Sequence, residues 1–344
     1  MASQVLTSVI TATPFRVSFF GGGTDFPAYF NKRGGLVLAT TVRQFSYVAV
    51  NSLPRLTEKR FRVSYSQLEN VDAVEEIRHG IVRATLTDYA KLVDDCFVDI
   101  HSYADLPSGT GVGSSSAFSV GLLNALHALN GVYQPPKELA RRAIRIERET
   151  LQEVGGWQDQ ILSAFGGFNL VRFRDGDFQV FPLLMNAGLR ETIESSCWLY
   201  FTALTRSSSA VQQVSFSPTN IADKERVLDQ TRELAEEALC AFRGETDPQA
   251  LMRRWGDLLH QAWAVKRSIS SSVSLPEIDR LYEKARDAGA YGGKIIGAGG
   301  GGFLLVIAPP ERRADIDAAL GGLHRFPLRL EHDGSHVVYV SEKT

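Results

Sequence analysis

Residues 106–117, LPSGTGVGSSSA, form a glycine- and serine-rich stretch from which the rest of the chain can be interpreted. Residues 97–103 before it alternate like a strand, and residues 118–129 after it carry apolar side chains at helical spacing. Glycines alternate with other residues at its centre, at Gly109, Gly111 and Gly113. Backbone N–H groups can therefore approach an anion without obstruction by a Cβ atom, and the positive end of the following helix points to the same place. The stretch predicts a phosphate-binding loop.

Two familiar phosphate-binding loops do not fit this stretch. A Walker loop requires Gly-Lys-Ser or Gly-Lys-Thr at its end, whereas Gly113 is followed by Ser114. The dinucleotide-binding pattern G-x-G-x-x-G, with an acidic residue about twenty positions later, has a different spacing. A plain glycine-rich turn between a strand and a helix is the remaining alternative, so other segments of the chain have to decide.

The composition is that of a globular protein of about two domains, with 344 residues of which 44% are hydrophobic. A net charge of −2 and the lack of a basic block in the sequence argue against nucleic acid or an anionic membrane as a partner. Cys96, Cys197 and Cys240 are isolated, which predicts neither a disulfide framework nor a cysteine-rich metal site. The N-terminus has no signal-peptide pattern, and the longest apolar run, residues 303–308, is too short to cross a bilayer. We therefore expect a cytoplasmic protein without a membrane partner.

Strands and helices are predicted in a mixed order, which favours an α+β fold over a regular βαβ repeat. The chain begins with a strand over residues 5–17 that Pro14 is expected to break. The later elements of the first half are strands at 36–42 and 44–51, helices at 80–92, 137–154 and 157–166, and a hairpin that turns at Asp175-Gly176. We place a boundary near residue 187, which gives a first domain of residues 1–187.

The second domain, residues 188–344, is predicted to be an α/β layer sandwich. Its elements in order are a strand at 197–204, helices at 222–243, 248–269 and 276–289, a strand at 303–308, a helix at 311–320, and strands at 327–330 and 336–340. Asp333-Gly334 is expected to provide the turn between the last two strands.

Four segments are unusual in combination: PFRVSFFGGGTD at 14–25, the loop at 106–117, ERETLQEVGGWQDQ at 147–160, and KIIGAGGGGF at 294–303. Together they resemble the GHMP kinase superfamily, named for galactokinase, homoserine kinase, mevalonate kinase and phosphomevalonate kinase, whose three motifs occur in this order. The resemblance covers essentially the whole chain. It implies an N-terminal ATP-binding domain of the ribosomal-protein-S5-domain-2-like type and a C-terminal ferredoxin-like sandwich. It also implies a small-molecule kinase that uses ATP and Mg²⁺.

The loop resembles the second family motif, Pro-x-x-x-Gly-Leu-x-Ser-Ser, with Val112 in place of the usual leucine. The resemblance assigns ATP binding to Pro107, Ser108, Gly109, Gly111, Val112, Gly113, Ser114 and Ser116. Ser115 matches the serine that binds magnesium, and Glu147, twelve residues before Asp159, matches the acidic metal ligand. Glu149 is the competing candidate for that ligand.

The segment GGWQDQ contains Asp159 and resembles the Gly-x-x-Asp-Gln segment of galactokinase-like members, in which the Asp accepts the proton of the substrate hydroxyl. Arg16 matches the arginine of the first motif, which lies beside this Asp in the galactokinase branch. Such a cation would keep Asp159 ionised and offset charge on the transferred phosphoryl group. The resemblance therefore predicts Asp159 and Arg16 as the catalytic pair.

The first motif ends in GGGTD at residues 21–25, where galactokinase has Gly-Glu-His-Thr-Asp. Asp25 matches the carboxylate that binds sugar hydroxyls, whereas the acid and the imidazole that flank galactose are missing. Galactose is therefore disfavoured as the substrate. The resemblance predicts substrate binding by Gly22, Gly23, Thr24, Asp25, Gly299, Gly300 and Gly301.

The GGGTD form, together with GGWQDQ and GAGGGGF, is most similar to the branch of bacterial D-glycero-D-manno-heptose 7-phosphate kinases in surface-polysaccharide synthesis. That branch phosphorylates the anomeric hydroxyl of a small-molecule sugar phosphate, which requires a cationic pocket. Candidate cations are Lys32, Arg33, Arg43, Arg78, Arg83, Arg206 and Lys294. Another anomeric sugar kinase, such as an L-fucose kinase, and a ligand sensor without catalysis are the alternatives. We expect a monomer or a homodimer, and we expect the aromatic side chains of Trp157, Trp198 and Phe303 to pack in the core.

Overall fold

The computed structural model describes residues 6–53, 58–89, 97–204, 224–269 and 273–342. Two long strands, β1 (Leu6–Phe20) and β2 (Gly35–Leu53), pair antiparallel along most of their length and form the centre of the first sheet. The predicted break at Pro14 is wrong, because β1 continues through it. Pro14 lies opposite Phe45 and is followed by a register shift, an irregularity at which a strand tolerates a residue without an N–H group.

Within the described ranges, seven further strands complete this sheet of nine. They are β3 (Phe61–Ser64), β4 (Leu68–Val71), β5 (Phe97–Ala104), β6 (Phe168–Arg174), β7 (Asp177–Pro182), β12 (Leu330–Glu331) and β13 (His336–Glu342). The main strand order is β13-β1-β2-β5-β3-β4. β2 has three neighbours on one edge in the described part of the chain, since its residues 35–40 pair with β6, residues 41–42 with β12 and residues 46–53 with β5. The predicted β6–β7 hairpin is confirmed, and its turn residues Asp175 and Gly176 both have positive φ angles.

Five helices accompany the first sheet in the described part of the chain. They are α1 (Pro27–Arg33), α2 (Gly80–Asp88), α3 (Ser114–Leu129), α4 (Pro136–Ile144) and α5 (Gln158–Phe165), with a 3₁₀ turn at Val74–Glu76. α3 packs across β1 and β2, and Gly121 permits this close approach. A Cβ atom at Gly121 would lie 2.8 Å from Oγ1 of Thr13. The long apolar face of α3 therefore fixes the position of its N-terminus over the sheet.

The predicted helix over residues 137–154 is shorter and less regular than expected. α4 gives way to a π-helical segment, Arg145–Thr150, in which the N–H of Leu151 donates to the carbonyl of Ile146. Single π turns inside helices are rare and occur frequently at functional sites. Here the π turn carries Glu147, one of the predicted metal ligands.

The second sheet has four antiparallel strands in the order β11-β8-β10-β9. The strands are β8 (Cys197–Phe201), β9 (Gly292–Ile295), β10 (Phe303–Ile307) and β11 (Arg325–Pro327). The helices that accompany them in the described part of the chain are α6 (Ala187–Ser196), α7 (Glu225–Gly244), α8 (Pro248–Ile269), α9 (Pro276–Asp287) and α10 (Arg313–Ala319), and a 3₁₀ turn covers Pro310–Arg312. If the four strands are numbered in chain order, the sheet runs 4-1-3-2 with helical crossovers after the first and third. This is the ferredoxin-like arrangement, and the predicted α+β fold is confirmed.

The last two strands do not belong to this second sheet. β12 pairs with β2, and β13 pairs with β1 along its whole length, so both join the first sheet. The expectation that residues 188–344 form one separate domain is therefore wrong for the C-terminal strands, although the boundary near residue 187 stays a prediction. Sequence periodicity identifies a strand but not the strand with which it pairs. The pairing of β12 and β13 with the first sheet could therefore not be predicted from the sequence.

One hydrophobic cluster joins the two sheets. It contains Phe15 and Phe19 of β1, Trp255 of α8, and Phe303 and Leu305 of β10, all fully buried. The thiols of Cys197 and Cys240 are free, and Cys96 lies outside the described residues. In the described part of the chain, every helix is too short or too polar to cross a bilayer.

Candidate active site

Arg16 and Asp159 form a bidentate ion pair between the two sheets. Nε of Arg16 donates to Oδ1 of Asp159 at 2.7 Å, and Nη2 donates to Oδ2 at 2.6 Å. Arg16 lies on β1 and is 4% exposed, while Asp159 lies in the first turn of α5, where the helix dipole favours a carboxylate. Two parallel hydrogen bonds between charged groups hold the carboxylate in a fixed orientation. The structure thus brings together the two residues predicted as the catalytic pair.

The glycine loop lies directly against this pair. Gly113 has a φ of 78° and caps the N-terminus of α3, and a Cβ atom there would lie 3.3 Å from Arg16 and 3.4 Å from Asp159. The guanidinium of Arg16 also donates to the carbonyl of Gly111, and its backbone N–H donates to the carbonyl of Val112. The N-terminus of α3 is therefore aimed at the cavity beside the catalytic pair.

A large cavity, here called the nucleotide cavity, opens on this side of the pair. Of the predicted ATP-binding residues, it is lined by Ser108, Gly109, Gly111, Gly113, Ser114 and Ser116, and the predicted metal ligands Ser115 and Glu147 line it as well. Pro107 and Val112 are not among its lining residues. Val112 is fully buried in the core, and the carbonyl of Pro107 accepts a hydrogen bond from the Thr110 hydroxyl. These two residues shape the loop instead of facing the cavity.

Glu147 has the environment of a metal ligand. It is 1% exposed, one of its oxygens accepts a hydrogen bond from Ser116 at 3.0 Å, and Oε1 has no hydrogen-bond partner among the described residues. Burial raises its pKa to about 7, although Arg148 and Ser116 act in the opposite direction. A buried carboxylate oxygen without a partner, beside serine hydroxyls, fits Mg²⁺, which binds one or two protein oxygens together with phosphates and water. Glu149, the competing candidate, is exposed.

The hydrogen bond to Glu147 changes the expected role of Ser116. Its hydroxyl donates to Glu147 and accepts from Nε2 of Gln160, so its only hydrogen is not available to a phosphate oxygen. The prediction that Ser116 bonds phosphate is therefore not supported in this arrangement. Among the described residues, the hydroxyls of Ser114 and Ser115 form no such hydrogen bond, and both serines line the cavity.

A second cavity, here called the sugar cavity, is also lined by Arg16 and Asp159. Gly22, Gly23 and Asp25, three of the residues predicted to bind substrate, line it. Asp25 is fully buried and accepts hydrogen bonds from the N–H groups of Gly23 and Gln158. Burial raises the pKa of Asp25, these hydrogen bonds lower it, and the nearby Asp159 raises it. These hydrogen bonds hold the carboxyl group in place, and its oxygens can accept further hydrogen bonds from a molecule in the cavity.

Two parts of the predicted substrate site lie elsewhere. The Thr24 hydroxyl donates to the carbonyls of Gly21 and Leu36, so it fixes the turn before α1 and does not line the sugar cavity. In the C-terminal glycine run, Gly297 and Ala298 line both cavities, whereas Gly299, Gly300 and Gly301 line neither. The N–H of Gly300 donates to the carbonyl of Val273, which makes it unavailable to a substrate.

Most of the candidate cations lie on the surface. Lys32, Arg33 and Arg43 are paired with acidic side chains there. Arg78 and Arg83 line neither cavity, and Arg206 lies outside the described residues. Lys294 is the exception, since it is 7% exposed and lines the sugar cavity.

Sequence reasoning missed Lys266 and Arg148, which also line the sugar cavity. Both lie in helical segments, where charged residues are normally solvated. Nothing in the sequence around them therefore predicts that they line a cavity. It also missed the aromatic side chains of Tyr65, His79 and Phe118 in the nucleotide cavity. Trp157, Trp198 and Phe303 line neither cavity, and Trp198 and Phe303 are buried in the core.

Comparison with protein families matches two regions of the chain. Residues 79–167 match the GHMP kinases N-terminal domain, and residues 249–320 match the GHMP kinases C-terminal domain. The first region contains the glycine loop, Glu147 and Asp159, and the second contains Lys266, Lys294 and the glycine run.

Individual relatives agree with this assignment. The chain is 30% identical over 330 residues to D-glycero-alpha-D-manno-heptose 7-phosphate kinase of Campylobacter jejuni, covering 92% of this chain and 94% of the relative. It is 26% identical to the bifunctional fucokinase/GDP-fucose pyrophosphorylase of Arabidopsis thaliana, of which it spans 30%. The fold matches a D-glycero-D-manno-heptose 1-phosphate kinase of Bacteroides thetaiotaomicron with a TM-score of 0.77 and 24% identity, over 97% of this chain and 99% of the other. The chain therefore belongs to the GHMP kinases and is a small-molecule kinase that transfers phosphate to a hydroxyl group.

Proposed function

We propose that this kinase transfers the terminal phosphoryl group of ATP to the anomeric hydroxyl of D-glycero-D-manno-heptose 7-phosphate and so forms the 1,7-bisphosphate. The observation that carries the proposal is the position of the Arg16–Asp159 pair, which forms part of the wall shared by the nucleotide cavity and the sugar cavity. The similarity to the Campylobacter jejuni heptose 7-phosphate kinase supports the choice of sugar. The 1,7-bisphosphate would be a precursor of the GDP-activated heptose used in surface-polysaccharide synthesis.

The catalytic step follows from the geometry of the pair. Both oxygens of Asp159 accept hydrogen bonds from Arg16, and each retains a lone pair that can accept the proton of the sugar hydroxyl. The sugar oxygen then forms the new bond to phosphorus while the bond from phosphorus to the ADP oxygen breaks. A carboxylate is a sufficient base, because phosphoryl transfer passes through a loose transition state. Arg16 offsets the charge that this step develops.

The nucleotide cavity positions the phosphates. Gly109, Gly111 and Gly113, with Ser114, would present N–H and hydroxyl donors at the N-terminus of α3. Ser115 and Glu147 would hold Mg²⁺, which would offset the negative charge of the phosphates. Asp25 would accept hydrogen bonds from sugar hydroxyls, since it lines the other cavity as an acceptor.

The test is ATP consumption by the purified protein with Mg²⁺, using heptose 7-phosphate, the same heptose without phosphate, mannose, galactose and L-fucose. We expect turnover with the heptose phosphate and a ³¹P resonance of an anomeric phosphate in the product. Turnover only with L-fucose would favour the fucokinase-like alternative, to which the Arabidopsis thaliana relative points. Binding of ATP without turnover of any sugar would argue for a ligand sensor.

A further inference from the structure

Two lysines and a serine lie together on the wall of the sugar cavity, of which Lys294 and Ser18 are buried and Lys266 is partly buried. Lys266 lies in the last turn of α8, Lys294 on β9 and Ser18 on β1. The two cavities share Arg16, Arg148, Asp159, Gly297 and Ala298, whereas Lys266, Lys294 and Ser18 line the sugar cavity alone. An anion held by these three residues would therefore belong to the sugar substrate and not to the nucleotide.

The three residues have unused hydrogen-bond donors. Nζ of Lys266 donates to the carbonyls of Ile295 and Gly297, at 3.1 and 2.7 Å, and Nζ of Lys294 donates to the carbonyl of Phe19 at 2.6 Å. An ammonium group has three hydrogens, so one remains on Lys266 and two remain on Lys294. Ser18 is 5% exposed, and its hydroxyl has no hydrogen-bond partner among the described residues.

The charges at this wall are also unbalanced. Neither lysine forms an ion pair with a carboxylate in the described part of the chain. The charge of Arg16, which is itself paired with Asp159, acts on both lysines, and Lys266 acts on Lys294 as well. Burial lowers the pKa of Lys266 to about 7 and that of Lys294 well below its usual value, and Arg16 lowers both further. Buried ammonium groups without a counter-ion are costly, and a phosphate group would supply the missing negative charge.

We propose that Lys266, Lys294 and Ser18 form the subsite that binds the phosphate group already present on the sugar substrate. This inference rests on the proposed function and deepens it, because it makes the phosphate, and not the sugar ring, the main determinant of specificity. A neutral sugar would leave the unused donors of the two lysines and the serine hydroxyl without an anion to bind, which is how a polar site rejects a ligand that lacks the matching group.

The experiment compares two substrates, heptose 7-phosphate and the unphosphorylated heptose, in the wild type and in Lys266→Met, Lys294→Met and Ser18→Ala. We expect each lysine variant to lower kcat/KM for the phosphorylated sugar by about 10- to 100-fold, the usual effect of losing a charged hydrogen bond, and to leave kcat/KM for the neutral sugar nearly unchanged. Ser18→Ala is expected to give a smaller loss in the same direction. Lys284→Met, on the exposed face of α9, is the matched control.

An equal loss with both substrates would overturn the proposal, because it would show that the lysines act on the transferred phosphoryl group. No loss would overturn it as well. Ser18→Ala removes only a hydroxyl, so it provides the test if a lysine variant fails to fold.

A binding measurement separates this inference from the proposed function. Inorganic phosphate is titrated calorimetrically into protein that holds Mg²⁺ and a non-hydrolysable ATP analogue, which covers the nucleotide cavity. Phosphate binding that Lys266→Met abolishes would support the subsite even if no heptose were phosphorylated. Unchanged phosphate binding in the variant, with heptose 7-phosphate still turned over, would refute the subsite and leave the kinase function intact.

Discussion

The nucleotide cavity and the sugar cavity share the Arg16–Asp159 wall, but the chain builds them differently. Much of the nucleotide cavity comes from one continuous loop, residues 108–116, whose glycines present backbone to the cavity. The sugar cavity collects side chains from β1, α5, α8 and β9, among them the partly buried Lys266 and the buried Lys294. A local motif is sufficient for a phosphate chain that all ATP-dependent kinases share, whereas recognition of one particular sugar requires charges brought from distant segments. Four experiments test this difference between the two cavities.

The largest effect is expected at the shared wall. Asp159→Asn should lower kcat by about 10²- to 10⁴-fold, because the amide cannot accept the hydroxyl proton, while the dissociation constant for ATP stays nearly constant. Asp99→Asn is the matched control, since Asp99 forms a similar bidentate pair with Arg62 but lines neither cavity. A wild-type kcat in Asp159→Asn would remove Asp159 from the mechanism.

The metal site should give the next largest effect. Glu147→Gln keeps the shape of the side chain but removes its charge, and we expect the Mg²⁺ concentration for half-maximal rate to rise by about 10- to 100-fold. Glu149→Gln lies on the same π-helical segment with an exposed side chain and should respond like the wild type. Equal Mg²⁺ requirements in both variants would contradict the assignment of Glu147.

The glycine loop allows a comparison within the nucleotide cavity. Gly109 and Gly111 have almost the same φ, 78° and 80°, but a Cβ atom at Gly111 would lie 2.7 Å from the carbonyl oxygen of Ile296, while nothing lies within 4 Å of one at Gly109. Alanine at either position costs about 1–2 kcal/mol of backbone strain, and at Gly111 it must also displace the segment before the C-terminal glycine run. We expect the KM for ATP to rise about tenfold more in Gly111→Ala than in Gly109→Ala. Equal KM values would show that the contact with Ile296 does not matter for nucleotide binding.

The smallest effect is a pH dependence confined to the sugar cavity. Lys266, which faces Arg16 and Lys294, has a pKa of about 7, so its protonated fraction falls as the pH rises above 7. Because the protonated form is the one that pairs with phosphate, KM for the sugar phosphate should rise by up to about tenfold per pH unit above pH 7. KM for ATP should not follow this profile, and Lys266→Met should abolish it. An identical rise in the variant would assign the titration to another group.

The features of this protein that depend on consecutive residues could be predicted from the sequence. The spacing of Gly109, Gly111 and Gly113 before a helical pattern predicts a phosphate-binding loop, and the structure places these glycines directly before the N-terminus of α3. The resemblance of GGGTD and GGWQDQ to family motifs led to Asp25 and Asp159, which the structure brings to one cavity. Such motifs can be recognised in the sequence because their chemistry depends on local backbone conformation.

Only the tertiary structure decided which distant residues meet. A lysine on a helix such as α8 is normally solvated, and only the packing of α8 against β9 and β1 shows that Lys266 is partly buried and lines the same cavity as Lys294. The hydrogen bond from Ser116 to Glu147 and the pairing of β13 with β1 likewise join residues far apart in the chain. Their physical reason is packing: hydrophobic side chains from both sheets share one core, and that core fixes where the polar groups at its edge point.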